Sequence, residues 1–199
     1  MAKHDIVRVG HPVLRAEAAD VSEEELGSKP LLALVRTMVE AMRRAPGVGL
    51  AAPQLGVSKR VIVLEDAERL MARSSKQQRE ERGRAPFALR CIVNPRLEIV
   101  GEARAVFFEG CLSVPGYSAL VERALEVRVV GVDEKGQPVD WQVSGWPARI
   151  LQHEVDHLGG VLYVDRMMSR SLGINEEISA HWGDLSIAEV RARLGIDGA

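Results

Sequence analysis

Residues 152–158 read Gln-His-Glu-Val-Asp-His-Leu, and no other segment limits the fold as strongly. His153 and His157 stand four apart, so on an α-helix both imidazoles project from one face and can reach one cation. Glu154 follows the first histidine and can lean over the same cation. The pattern predicts a helix over 146–158, opened near Pro147. The chain has only five histidines, and two fall at this spacing with Glu between them, which argues against a chance pair of solvated rings.

A catalytic cation of this kind keeps three protein ligands and one open position. Residues 158–165 supply no further His or Glu; Asp165 is a carboxylate candidate eight residues past His157. Upstream, Phe-Phe-Glu-Gly-Cys-Leu-Ser at 107–113 places Cys111 directly after a strand, and Gly110 permits a close approach or an unusual backbone angle. A thiolate there completes a Cys-His-His set. The plain alternative is a core cysteine, which is how Cys91 reads. A third segment, Gly47-Val48-Gly49-Leu50-Ala51-Ala52-Pro53-Gln54, lets backbone lie close to a ligand and ends in an amide donor. It lacks the Lys-Ser/Thr ending of a phosphate loop.

The rest of the chain bounds the class. Its 199 residues fit one domain with a tail, and 46% hydrophobic with 27% charged residues is ordinary for a globular protein. A net charge of -2 gives no global handle for nucleic acid or anionic membrane, and no apolar run reaches the roughly 18–20 residues of a membrane span. The first ten residues lack an apolar signal core, so a cytoplasmic location is expected. Two cysteines make no secreted framework.

Apolar residues at helical spacing predict a helix over 30–44, ended by Pro46 and Gly47. Strands are expected at 60–64, 91–94, 97–100, 104–108, 125–132 and 139–143, with Pro95 and Gly101 as breaks and 133–136 as a turn. The charged stretch 65–86 reads as an exposed insertion, partly helical over 67–71, and 187–194 as a last amphipathic helix. Strands clustered between helices give an α+β fold with a mixed, mostly antiparallel sheet around the His-bearing helix.

Taken together, Gly47 to Gln54, Glu109-Gly110-Cys111-Leu112-Ser113 and Gln152-His153-Glu154-Val155-Asp156-His157 resemble the three motifs of the peptide deformylase family, in that family's order. The resemblance covers about Ile6 to Arg170, making 1–170 the expected catalytic domain and 171–199 a partly helical C-terminal tail. Residues 144–150 and the insertion further resemble the branch that includes mitochondrial-type enzymes. The resemblance implies removal of the formyl group from N-formylmethionyl peptides of nascent proteins, with release of formate. It implies one divalent cation on Cys111, His153 and His157, natively Fe(II), with Zn, Ni or Co accepted in purified protein.

By the same resemblance, Glu154 is the general base, and the Gln54 amide and Leu112 backbone N–H stabilise the carbonyl oxygen. Val48, Gly49, Glu109 and Gly110 flank the substrate, and Phe107, Trp146 and Ile150 surround its methionine side chain. Ser118 stands where many relatives carry Arg, and Arg123 with Asp156 forms an ion pair that fixes the His helix. The expected partner is the formylated peptide, with transient ribosome contact and neither membrane nor direct nucleic-acid reading. Two rivals remain at this point. One is a zinc peptidase of the His-Glu-x-x-His type; the other is a structural metal module, for which no convincing fourth ligand is seen.

Overall fold

The computed structural model describes residues 5–72 and 76–196. Positions 1–4, on which the location expectation partly rested, lie outside the described residues, as do 73–75 of the insertion and 197–199 of the tail.

Helix α1 (Lys29–Arg44) begins where the Ser28 side chain accepts from the Leu31 N–H and Pro30 fills the first turn. Arg43 and Arg44 in its last turn complement the negative end of the helix dipole. Its buried face, including Leu31, Val35, Met38 and Met42, packs against Leu50, Val61, Val63 and Val93. The chain continues through β1 (Gly49–Ala51), β2 (Val61–Asp66), α2 (Glu68–Met71), α3 (Lys76–Glu81), β3 (Phe87–Ile99), β4 (Arg104–Cys111) and β5 (Val114–Ala124). It then forms β6 (Glu126–Val132), β7 (Pro138–Ser144), α4 (Trp146–Leu158), β8 (Gly173–Ile174), α5 (Asn175–Trp182) and α6 (Ile187–Leu194).

The fold is α+β, with α4 between two sheets. One sheet has the order β1-β2-β3-β6-β7 and the other β4-β5-β8, and all pairings between these strands are antiparallel. The parallel component shrinks to an isolated bridge between Ala19 and Lys59. Ala148, Ile150, Leu151 and Leu158 of α4 pack on Ile62, Leu64, Ile92, Val127 and Val129. Burying one Leu or Ile contributes roughly 1.5–3 kcal/mol, so the helix is anchored by several kcal/mol before any polar contact. Gln152 adds a clamp: its Oε1 accepts from Ala124 N at 2.9 Å and its Nε2 donates to Ala124 O at 2.9 Å.

Three expectations change. The strand pieces at 91–94 and 97–100 are one strand, β3, because a bulge between Val93 and Arg96 absorbs Pro95. Asn94 takes φ 51° there, and its side chain exchanges two hydrogen bonds of 2.9 Å with the Val21 backbone. Strand β5, unforeseen, carries Pro115 and Gly116 just after its first residue yet buries Ala119, Leu120 and Val121 completely. The insertion is exposed over most of its described residues, as expected, but not throughout: Asp66 is fully buried in an ion pair with Arg84, and Leu70 and Met71 are buried.

Candidate metal centre

Strand alternation and helical spacing build the site. On β4, Phe107, Glu109 and Cys111 point to the buried face, two residues apart, while Gly110 is exposed. On α4, His153 and His157 share one face, as their four-residue spacing requires, with ring centroids 5.0 Å apart. Cys111, His153 and His157 each turn one donor atom inward, all within 4.8 Å of one another. Cys111 Sγ lies 3.3 Å from His157 Nε2. Among the described residues this group has three members, which suits an ion with an open position and not a closed structural site. Asp165 is elsewhere: its carboxylate accepts from Leu162 N at 2.8 Å and pairs with Arg15.

The donors are oriented by their neighbours. His153 Nδ1 sits 3.1 Å from Glu109 Oε2, which leaves Nε2 for the cation side. Glu109 in turn accepts from Arg123 Nε and Nη2, both at 3.0 Å, and from Arg149 Nη1 at 2.5 Å. Burial would raise the Glu109 carboxyl, but His153 and Arg123 outweigh it and hold it well below its ordinary range. Arg123 also pairs with Asp156, as expected, and Arg166 grips the same carboxylate at 2.7 and 2.8 Å. Glu109 lines the cleft, and its side chain is committed to His153 and the two arginines.

Gln54 is buried, and its orientation is fixed by the Ala51 N–H, which donates to Oε1 at 2.9 Å. Its Nε2 therefore faces Cys111 Sγ at 3.5 Å and Ser113 Oγ at 3.2 Å. Glu154 is buried against β1, and its Oε2 has no hydrogen-bond partner. Burial pushes its carboxyl up to about 7. A cleft of about 530 Å³ opens over these groups, lined by Val48, Gly49, Gln54, Glu109, Gly110, Cys111, Leu112, Trp146, Ile150, His153 and Glu154 among others.

Phe107 is not on the cleft wall; Phe108 is. Phe107 shares the buried face of β4 with Glu109 and Cys111 but is covered by the Arg149 guanidinium, 5.2 Å from its ring centre. Ser118 hydrogen-bonds Asn175 at 2.6 Å, so a tail residue reaches the cleft mouth. Sequence reasoning assigned no role to Ser113, Arg149 or Tyr163, which stacks on His153 at 6.3 Å; the first two stood inside recognised segments and Tyr163 did not.

The sequence model of the polypeptide deformylase family matches residues 3–172. The chain belongs to the polypeptide deformylase family. A chloroplastic peptide deformylase 1A of Solanum lycopersicum is 46% identical over 195 residues, spanning 98% of this chain and 69% of that one. The mitochondrial peptide deformylase of Homo sapiens is 46% identical over 166 residues, 83% of this chain and 68% of its own, in keeping with the mitochondrial-type branch. A Met-Ala-Ser-bound class I type b peptide deformylase from Acinetobacter baumannii has a TM-score of 0.72 at 36% identity, covering 81% of this chain and 96% of that one. Deformylases are metal enzymes that remove the N-formyl group from nascent peptides, and the Cys-His-His group here could hold the metal. Family membership removes the peptidase and the structural-module readings together.

Proposed function

We propose that this deformylase acts on N-formylmethionyl peptides with one divalent cation, natively Fe(II), held by Cys111, His153 and His157. The observation that carries this is the three convergent donors beside a buried carboxylate oxygen, Glu154 Oε2, that lacks a donor. When bound, such a cation acts as a Lewis acid and lowers the pKa of water from about 15.7 toward about 7. One thiolate and two imidazoles accept Fe(II) as well as Zn, Ni or Co, so identity follows supply and handling.

The residues divide the remaining work. Glu154 takes a proton from the attacking water and later gives it to the leaving amine. Water adds to the formyl carbon, the C–N bond breaks, and formate departs from the free amino terminus. Negative charge grows on the formyl oxygen, where the Gln54 amide and the Leu112 N–H donate; one such donor is typically worth about 10²–10³ in rate. Ala51 holds Gln54 in that orientation in advance, so no reorganisation is needed.

Binding is by backbone. β1 ends one sheet and β4 ends the other, and both edges border the cleft through Val48, Gly49 and Gly110. An extended peptide laid between two unpaired edges is bound through main-chain groups whatever its sequence. Its first side chain enters the apolar pocket of Trp146, Ile150 and Phe108. The domain assignment (1–170 catalytic, 171–199 tail), a cytoplasmic location and transient ribosome contact belong to the same proposal. Among the described residues no helix is long and apolar enough to cross a membrane.

The test is formate release from formyl-Met-Ala-Ser and acetyl-Met-Ala-Ser by protein reconstituted separately with Fe(II), Ni(II) and Zn(II). Turnover of the formyl peptide alone is expected; equal turnover of both peptides refutes the proposal.

A further inference from the structure

The insertion folds back onto the cleft from behind. Arg84 donates from Nε and Nη2 to the two oxygens of Asp66 at 2.7 and 2.9 Å, and that carboxylate is completely buried at the end of β2. The pair fixes the Arg84 guanidinium, whose carbon lies 5.4 Å from the Trp146 ring centre. Arg82, half-buried, stands 5.2 Å from the same ring and 5.6 Å from Phe107. The backbone is pressed together too. Gly145, which precedes Trp146, has φ 70°, and a Cβ there would meet Arg82 O at 2.9 Å and Gly83 O at 3.0 Å. Two guanidinium groups are thus packed around one indole, although burial and the nearby Arg84 charge both work against the charged form of Arg82. Trp146, the ring they hold, forms part of the cleft wall.

We propose that the insertion is a specificity element of this enzyme. Arg82, beside an Arg84 locked by Asp66, is a positioning residue that sets the Trp146 ring as the wall against which the substrate's first side chain packs. The inference rests on the cleft being the formyl-methionyl site. It predicts an effect on side-chain selection and not on chemistry, because Arg82 is packed on the Trp146 and Phe107 rings and not on the Cys-His-His group or Glu154.

The experiment measures KM and kcat for formyl-Met-Ala-Ser and formyl-Ala-Ala-Ser on the metal-loaded full chain, in wild type and in Arg82→Ala, Arg82→Met and Arg82→Lys. Loss of a cation over a ring is expected to raise KM for the methionyl peptide about three- to tenfold. The alanyl peptide, too short to reach the ring, keeps its KM, and kcat for both stays within about twofold of wild type. Arg82→Lys, which restores a cation without the flat guanidinium, recovers part of the methionine preference. Arg82→Met keeps an unbranched apolar stem, so it reports the lost charge should Arg82→Ala fail to fold. An unchanged methionine-to-alanine preference in a folded Arg82 variant overturns the inference, as does a parallel loss on both peptides, which marks a structural role. Wild-type protein that releases formate from neither peptide overturns the functional reading, and this inference with it.

Discussion

Gly49 allows the clearest test of how the fold sets the chemistry. A Cβ at this position would lie 2.2 Å from Glu154 Oε1, 2.7 Å from Cδ and 2.9 Å from Cγ. Non-bonded heavy atoms sit near 3.5–4.0 Å, so the Glu154 carboxylate must retreat by about 1 Å in Gly49→Ala. The backbone need not move, since Gly49 lies in β1 without positive φ and the three nearest atoms all belong to the Glu154 side chain. Crowding of this kind costs about 1–3 kcal/mol of stability, which a domain of this size tolerates. A misplacement of about 1 Å costs on the order of 10² in rate, and removing a general base costs about 10²–10⁴. Gly49→Ala is therefore expected to lose about 10² in kcat for formyl-Met-Ala-Ser while elemental analysis finds its metal content unchanged. Glu154→Ala should lose at least as much, and the double variant no more than Glu154→Ala alone, because both changes remove the same function. A Gly49→Ala enzyme within threefold of wild type, or fully additive losses in the double variant, would refute the reasoning.

Two more outcomes follow from the same geometry. Cys111→Ala should lower metal stoichiometry, measured by elemental analysis after dialysis; an unchanged metal-to-protein ratio removes Cys111 from the donor set. Glu109→Gln leaves Arg123 and Arg149 buried beside a neutral amide, and breaking such a buried pair costs about 3–5 kcal/mol in denaturant unfolding. The acid dependence has a definite sign. Glu109 titrates below its ordinary 4.5 in the folded chain, so its contribution is fully present above that pH and fades as pH falls toward the folded value. The stability gap between wild type and Glu109→Gln should thus be widest near pH 7 and narrow below about pH 4.5; a constant gap across that range contradicts the assignment.

Much of this molecule was legible in its residues, for physical reasons that differ by element. Helices α1 and α4 announce themselves because each buries one stripe, so apolar residues recur at helical spacing with proline in the first turn. The donor set was legible because three residues of two rare types, one Cys and two His, stood in short motifs. Strand β3 was not, since Pro95 signals a break and only the structure shows a bulge that tolerates it. Strand β5 was not legible because Pro115 and Gly116 near its start carry no strand signal. The place of Phe107 was not legible either, because the Arg149 guanidinium that covers its ring comes from a helix forty-two residues further on. Asp66 and Arg84 carry charges that composition assigns to solvent; their burial depends on a partner eighteen residues away, which local pattern does not encode.

The open borders of β1 and β4 have a consequence for how such an enzyme can change. Side chains are replaced one at a time, but the amide groups along a strand persist through almost every substitution. A substrate held through those amides keeps its grip while the surrounding sequence drifts. Lineages can therefore reshape the pocket for the leading side chain, or the loop behind it, without narrowing the range of proteins whose first residue is processed.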